Sequence, residues 1–418
     1  MFDAWGISIF VGFDFYNVDA LRLKSRKELL TLLFRKLLIL RIYSILFDGI
    51  KKLPAEHVEM EKELLLRWMA ESQMLEKANV RLNDAAIQVS EWFRKKGFRT
   101  CILKGQGNAL MYPNPYSRTP GDIDIWVEEG NKRVISFVRS ISPHEKACYH
   151  HIEFPSYKGV EVEVHYRPSF LLCFWHNRKL LKYYERVKEE QFSHRVMLGE
   201  QGEIAIPTAE FNLIFQLTHI YAHLMNEGIG LRQLVDYYYV LCDFYKVYQK
   251  SSKITPSLFT LKEDSTSHPD PLSSGAREKT ALRCSEPLRY KDGGPSKVLP
   301  DCAGWDRLGV VQKELKELGL WKFAGAIMYI MQEVFGMPAS RLIAPPNERF
   351  GKFVLNEVLE AGNFGKHDER NQFGRSKLGH NLQRVYRDMR LVRYFPAEAL
   401  CEPLFRIWHF FWRVKNKK

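Results

Sequence analysis

The segment GDIDIWV constrains this chain more than any other, because Asp122 and Asp124 alternate with Ile123 and Ile125 at the period of a β-strand. At that period the two carboxylates project from one side, and the isoleucines point to the other, into a core. Two acids a few ångströms apart repel each other, so either solvent or a divalent cation held through oxygen must compensate them. The flanking sequence decides between a solvated strand end and a metal site.

A second period-2 segment, VEVEVHY, places Val160, Val162 and Val164 on one face and Glu161, Glu163 and His165 on the other. It follows GDIDIWV after the helical NKRVISFVRSI, the strand YHHIEF and the turn SYKG, so both strands can join one sheet. A third carboxylate then stands beside Asp122 and Asp124. Three acids on one sheet face form a hard-oxygen cluster suited to Mg²⁺ or Mn²⁺. Such a cluster can hold two ions about 3.5–4 Å apart, flanking a transferred phosphorus. Upstream, FRTCILKG reads as a strand ending at Gly105, and NALMY opens a helix. The turn between them, Lys104-Gly105-Gln106-Gly107, offers backbone N–H groups and a helix N-terminus to phosphate oxygens.

The rest of the chain frames this core. Residues 1–96 read as an N-terminal helical region, 97–206 as the α/β core, and 207–249 with 304–363 as a helical domain. Residues 250–303, rich in Ser, Pro, Gly and charge without a sustained period, read as a disordered insertion. Residues 364–418 form a basic helical tail, whose end LFRIWHFFWRVKNKK sets aromatics beside cations and suits either a membrane surface or the protein's own body. Strand, helix, strand, helix and two strands, with helices before and after, make the expected class α+β.

Composition excludes the extremes. Hydrophobic content of 45% and charged content of 27% fit a soluble globular protein. A net charge of +13 suits anionic partners such as nucleotides, nucleic acid, phosphorylated substrates or an anionic membrane face. The apolar run LLTLLFRKLLILRIYSILF is interrupted by Arg35, Lys36 and Arg41, so it reads as a buried or interfacial amphipathic helix and not as a span. Seven scattered cysteines without a C-x-x-C pair fit reduced thiols and not a disulfide or zinc framework. With no secretory leader at the start, a cytoplasmic location is expected.

The order of Gly turn, acid-x-acid strand and later acid resembles the nucleotidyltransferase superfamily related to DNA polymerase β. More narrowly, LKGQGNALMYPNPYSRTPGDIDIWV, then EVEVHYRP, then HIYAHLMNEGIGLRQLVDYYYVL, resembles a bacterial group of nucleotidyltransferase family proteins. The likeness runs from about Phe98 to Tyr245, and more faintly through GLWKFAGAIMYIMQEVFG and PLFRIWHFFWR. It implies a polymerase-β-like core with a mixed sheet, and a metal-dependent enzyme. That enzyme would move a nucleoside monophosphate from a nucleoside triphosphate such as ATP to an acceptor hydroxyl and release pyrophosphate.

By the same resemblance Asp122 and Asp124 would hold the metals, with Glu163 as the third ligand and Glu161 as its rival on the same face. Lys104, Gly105, Gln106, Arg118 and Gly121 would meet the nucleotide. Superfamily members commonly carry Gly-Ser in the turn, with the acid pair about a dozen residues on, whereas the narrower group shares the longer loop seen here. Here Gln106 stands in place of Ser, and Asp122 comes 17 positions after Gly105. His165, His219, His223, Arg232 and Asp236 are candidates for the cleft between core and helical domain. Residues four apart share a helix face, so His219 and His223 could bind a metal, and Arg232 and Asp236 could instead pair with each other. The acceptor is open, with a small molecule, a saccharide or a protein favoured over nucleic acid. The alternative is a module of the same fold that binds nucleotide or RNA without chemistry.

Overall fold

A computed structural model describes residues 42–52, 61–200, 202–253, 307–361 and 377–416. Helix α1 (Tyr43–Ile50) and the long α2 (Lys62–Lys95) precede the sheet. The amphipathic run before Arg41 and the expected insertion from residue 254 onward lie outside the described residues. Four strands follow: β1 (Thr100–Ile102), β2 (Ile123–Val127), β3 (His151–Tyr157) and β4 (Val160–His165), with α3 (Gln106–Ala109) and α4 (Asn131–Ile141) between them. Their order is β1-β2-β4-β3, with β2 and β4 parallel and the two outer pairings antiparallel. The sheet is mixed and helices flank it, so the fold is α+β as its sequence pattern implies.

The two faces of the sheet have different work. Ile123, Ile125, Val127, Val162 and Val164 turn to one side, where they meet Leu82, Val89 and Phe93 of α2 and Val134 and Val138 of α4. The β3–β4 hairpin closes through Lys158 and Gly159, both at positive φ, the backbone that a tight two-residue turn demands. On the other face Trp126 stacks on Phe211, with ring centroids 5.8 Å apart and planes 14° off parallel. An aromatic pair of this kind adds about 0.5–1.5 kcal/mol beyond its buried area. It fixes the sheet to the helical domain, whose α6 (Ala209–Asn226) and α7 (Leu231–Lys253) carry the largest continuous core.

Two elements are absent from the sequence reading. Helix α5 (Phe174–Ser193) and the hairpin of β5 (Arg195–Leu198) with β6 (Gly202–Ala205) occupy the end of the 97–206 region. Helices α8 (Arg307–Glu317), α9 (Trp321–Glu333), α10 (Glu348–Ala361), α11 (Lys377–Leu391) and α12 (Pro396–Lys415) complete the chain.

Helix α12 docks through one face. Buried Glu398 accepts the Leu172 and Cys173 amides at 2.6 and 2.9 Å, which ties the tail to the start of α5. Leu404, Phe410 and Phe411 on the same helix stay exposed. No helix among the described residues is long and apolar enough to cross a membrane.

Where α11 meets α12, Asp388 and Glu402 share one Arg406, at 3.8 and 2.7 Å. Burial, then the Glu402 charge, pushes the Asp388 carboxyl up to about 7. A raised acid binds its proton in the folded state before the unfolded chain does. Its unfavourable contribution therefore grows as pH rises from about 4, the unfolded value, to about 7. Asp388→Asn should raise the melting temperature at pH 8 and leave it unchanged at pH 4. Equal shifts at both pH values would contradict a raised Asp388 carboxyl.

Candidate active site

The parallel pairing of β2 with β4 sets Asp124 directly beside Glu163. Asp122 stands one residue ahead of β2. All three carboxylates bring an oxygen within 4.8 Å of the other two. Glu161 is exposed on β4 and lies outside this group, so the geometry selects Glu163 as the third acid.

Asp124 is only 2% exposed, and the protein supplies cations to match. The Lys104 Nζ lies 2.9 Å from Asp124 Oδ1 and 3.1 Å from His219 Nε2. The His165 Nε2 lies 3.0 Å from the same aspartate oxygen and 3.4 Å from Glu163 Oε2. Local backbone explains Lys104: the Leu103 amide donates to the Asp124 carbonyl at 3.0 Å, so the next side chain falls beside the acid.

These contacts set the charge states. Burial alone would protonate Asp124, yet Lys104 and His165 hold it well below the usual carboxylate range. Asp122 goes the other way, raised first by the Asp124 charge and then by burial. For Lys104, burial is outweighed by Asp124, Asp122 and Glu163, and the amine is raised. Burial of His165 is outweighed by its bonds to Asp124 and Glu163, and the ring rises to about 9. Three acids thus face two cations, and the repulsion that remains falls on Asp122. An under-compensated oxygen cluster of this kind fits a divalent cation.

The turn is built differently from its expectation. Gly105 sits at φ +53, ψ −110, which favours glycine, and a Cβ there would approach the Asp122 carbonyl at 3.6 Å. Helix α3 is a single turn, and the Gly107 amide is already spent on the Lys104 carbonyl. The Gln106 amide nitrogen donates to Asn83 of α2, so its side chain is turned into the core and not toward a phosphate.

Arg118 is likewise redirected. Its Nε and Nη2 donate to Asp236 Oδ1 and Oδ2 at 2.8 and 2.9 Å, and both residues are buried. Tyr112 adds a hydroxyl to the same carboxylate at 2.6 Å. Asn79 of α2 holds the loop from below, donating to the Tyr116 and Arg118 carbonyls, each at 2.7 Å. Asp236 therefore anchors the loop that leads into Asp122. Arg232, one turn away on α7, lies 3.4 Å from the Pro120 carbonyl, and a Cβ on Gly121 would come within 3.5 Å of its guanidinium.

His219 and His223 touch each other at 3.1 Å, with Lys104 on one side and Glu227 at 3.6 Å on the other. Among the described residues no metal-ligand group includes either one. His151 is a site neighbour that the motif reading passed over. Antiparallel pairing puts it opposite His165, and its Nδ1 lies 3.4 Å from Glu163 Oε2. Burial lowers it to about 4. The signal was present in YHHIEF, since pairing that strand antiparallel to VEVEVHY aligns the two histidines.

Searches of curated proteins and of solved structures gave no match. The model of one family, described as uncharacterised nucleotidyltransferase, matches residues 31–248. That span is more than half of the 418 residues and takes in the Gly turn, all three acids and the helices behind them, so the chain belongs to the uncharacterised nucleotidyltransferase family.

Proposed function

We propose that this protein transfers a nucleoside monophosphate from a nucleoside triphosphate to an acceptor hydroxyl. The acceptor oxygen forms a bond to the α-phosphorus, the bond to the β-phosphate bridging oxygen breaks, and pyrophosphate leaves. The acceptor proton passes to solvent. The observation that carries this reading is the three-carboxylate group of Asp122, Asp124 and Glu163 inside a nucleotidyltransferase-family chain. A divalent cation held there, Mg²⁺ or Mn²⁺, would neutralise charge on the triphosphate and align the reacting oxygens.

The remaining residues work by position. His165 bridges Asp124 and Glu163 and fixes the angle between their carboxylates. Lys104, paired with Asp124, would meet a phosphate oxygen of the bound triphosphate. Gly105 lets the chain turn sharply under Asp122. The fixed loop 118–121 keeps Asp122 from swinging out of reach. We place the acceptor between the core and the helical domain, near Arg232, and favour a small molecule, a saccharide or a protein over nucleic acid.

Pyrophosphate release should be seen with at least one of the four common nucleoside triphosphates, and only with Mg²⁺ or Mn²⁺ present. Nucleotide binding without release across a broad acceptor panel would instead support a non-catalytic module. Failure to bind any nucleotide would overturn both readings.

A further inference from the structure

A second group of metal-ligating side chains stands beside the acid cluster, on the tight turn that leads into β3. The turn is Cys148-Tyr149-His150-His151, closed by the Cys148 amide donating to the His151 carbonyl at 2.9 Å. Its Cys148 Sγ lies 3.5 Å from His150 Nδ1, and His150 Nε2 lies 3.1 Å from His151 Nδ1. Cys148, His150 and His151 can each offer one donor atom within 4.8 Å of the other two.

The two contacts use opposite nitrogens of the His150 ring, and an ion can take only one of them, so its three donors start within 4.8 Å of one another. Bonds of about 2.3 Å to sulfur and about 2.0 Å to nitrogen at a tetrahedral angle would draw them to roughly 3.3–3.6 Å by side-chain rotation on an unmoved turn. The turn is also held still from outside. Tyr166 donates its hydroxyl to the Cys148 carbonyl, Arg167 donates its guanidinium to that of Tyr149, and the Tyr166 and Arg167 amides both reach that of His150. The three donors are therefore carried on a backbone whose carbonyls are all engaged, which lowers the ordering cost of binding an ion.

We infer that Cys148, His150 and His151 form a soft-donor cation site whose ion is Zn²⁺, with Glu163 within reach of His151 as the link to the acid cluster. One thiolate and two imidazoles favour zinc over magnesium, which takes oxygen ligands. The set differs from Cys173, His176 and Glu398, where the carboxylate already accepts two backbone amides. It also explains why cysteine spacing gave no zinc signal: one Cys and two adjacent His on a turn leave no C-x-x-C pair.

The test uses the full-length protein loaded with Zn²⁺ and, separately, with Co²⁺. Wild type should hold one Zn²⁺ per chain after desalting, and its Co²⁺ form should display a thiolate-to-cobalt charge-transfer band. Cys148→Ser should lose that band. Cys148→Ser and His150→Ala should each weaken zinc binding by more than about 100-fold, because even supporting changes cost about 10–100-fold. Asp122→Asn should keep both zinc and band, which separates this site from the proposed nucleotidyl-transfer centre. Zinc retained equally by Cys148→Ser, or lost with Asp122→Asn alone, would overturn the assignment, as would a wild type that takes up no zinc. Unchanged circular dichroism of each variant guards against reading misfolding as loss of the site.

Discussion

Asp122→Asn should make the ion-free protein more stable while abolishing its chemistry. Asp122 is the acid raised by its neighbours, first by Asp124 and then by burial, so its negative charge costs stability in the folded state. Asparagine keeps the shape and removes the charge. A raised carboxyl weakens the fold as pH climbs through its folded value, so the gain should be present at pH 7.5. It should vanish below about pH 3.9, the unfolded value. A rise of roughly 2 °C in melting temperature at neutral pH is the scale expected from about 1 kcal/mol. Adding Mg²⁺ or Mn²⁺ should reverse the ranking, because an ion that binds only the wild-type cluster stabilises only wild type. Nucleotidyl transfer should fall by about 10³-fold or more, the scale for removing a charge-placing group from a reacting centre. A variant that is both less stable without ions and equally responsive to them would contradict the cluster's role.

Asp124→Asn tests the same cluster with the opposite sign. Asp124 is held low by Lys104 and His165, so its charge supports the fold, and its removal leaves two buried cations with weaker partners. Activity should be lost in both variants, with ion-free stability moving in opposite directions. That divergence separates a repulsive cluster poised for a cation from a generic patch of acids, in which both changes would act alike.

What could be read in the sequence follows from the range of the forces involved. The period-2 segments GDIDIWV and VEVEVHY specify their own faces, and both bury Ile and Val on one side, whereas their parallel direction is set by the chain between them and is seen only in the fold. The three acids were legible for that reason. Glu161 and Glu163 share a face, so periodicity could not separate them. The register, Asp124 against Glu163, does. The partners of Arg118 and Gln106 are not legible in sequence order because they come from elsewhere in the chain: Asp236 is 118 positions away and Asn83 is 23. A cation beside an anionic site in sequence looks like a phosphate ligand until a buried carboxylate from another helix takes both its donors. Helix α5 has a weak sequence signal because its Leu180, Tyr183 and Tyr184 are diluted by charged residues in KLLKYYERVKEE. Its apolar face is legible only once the sheet it covers is known.

The buried pair of Arg118 and Asp236 yields the largest stability effect. Asp236 accepts two bonds from one guanidinium and a third from the Tyr112 hydroxyl, with both charged partners almost completely enclosed. Removing one partner of such a pair strands the other in a poor solvent for charge, at a cost of about 3–5 kcal/mol. Asp236→Ala should therefore lower the unfolding free energy by about that amount in urea titrations. Arg118→Lys should recover little, since an ammonium cannot reproduce the two-pronged contact.

The pH dependence has a definite sign. Arg118 outweighs burial and lowers the Asp236 carboxyl, so its stabilisation is present above the unfolded value and is lost as pH falls through the folded one. Wild type and Asp236→Ala should therefore converge in stability under strong acid. Asp236 also anchors the loop into Asp122, so residual folded Asp236→Ala should bind Mg²⁺ more weakly than wild type although Asp236 touches none of the three acids. If its metal affinity equals that of wild type, the loop does not depend on this pair for its position.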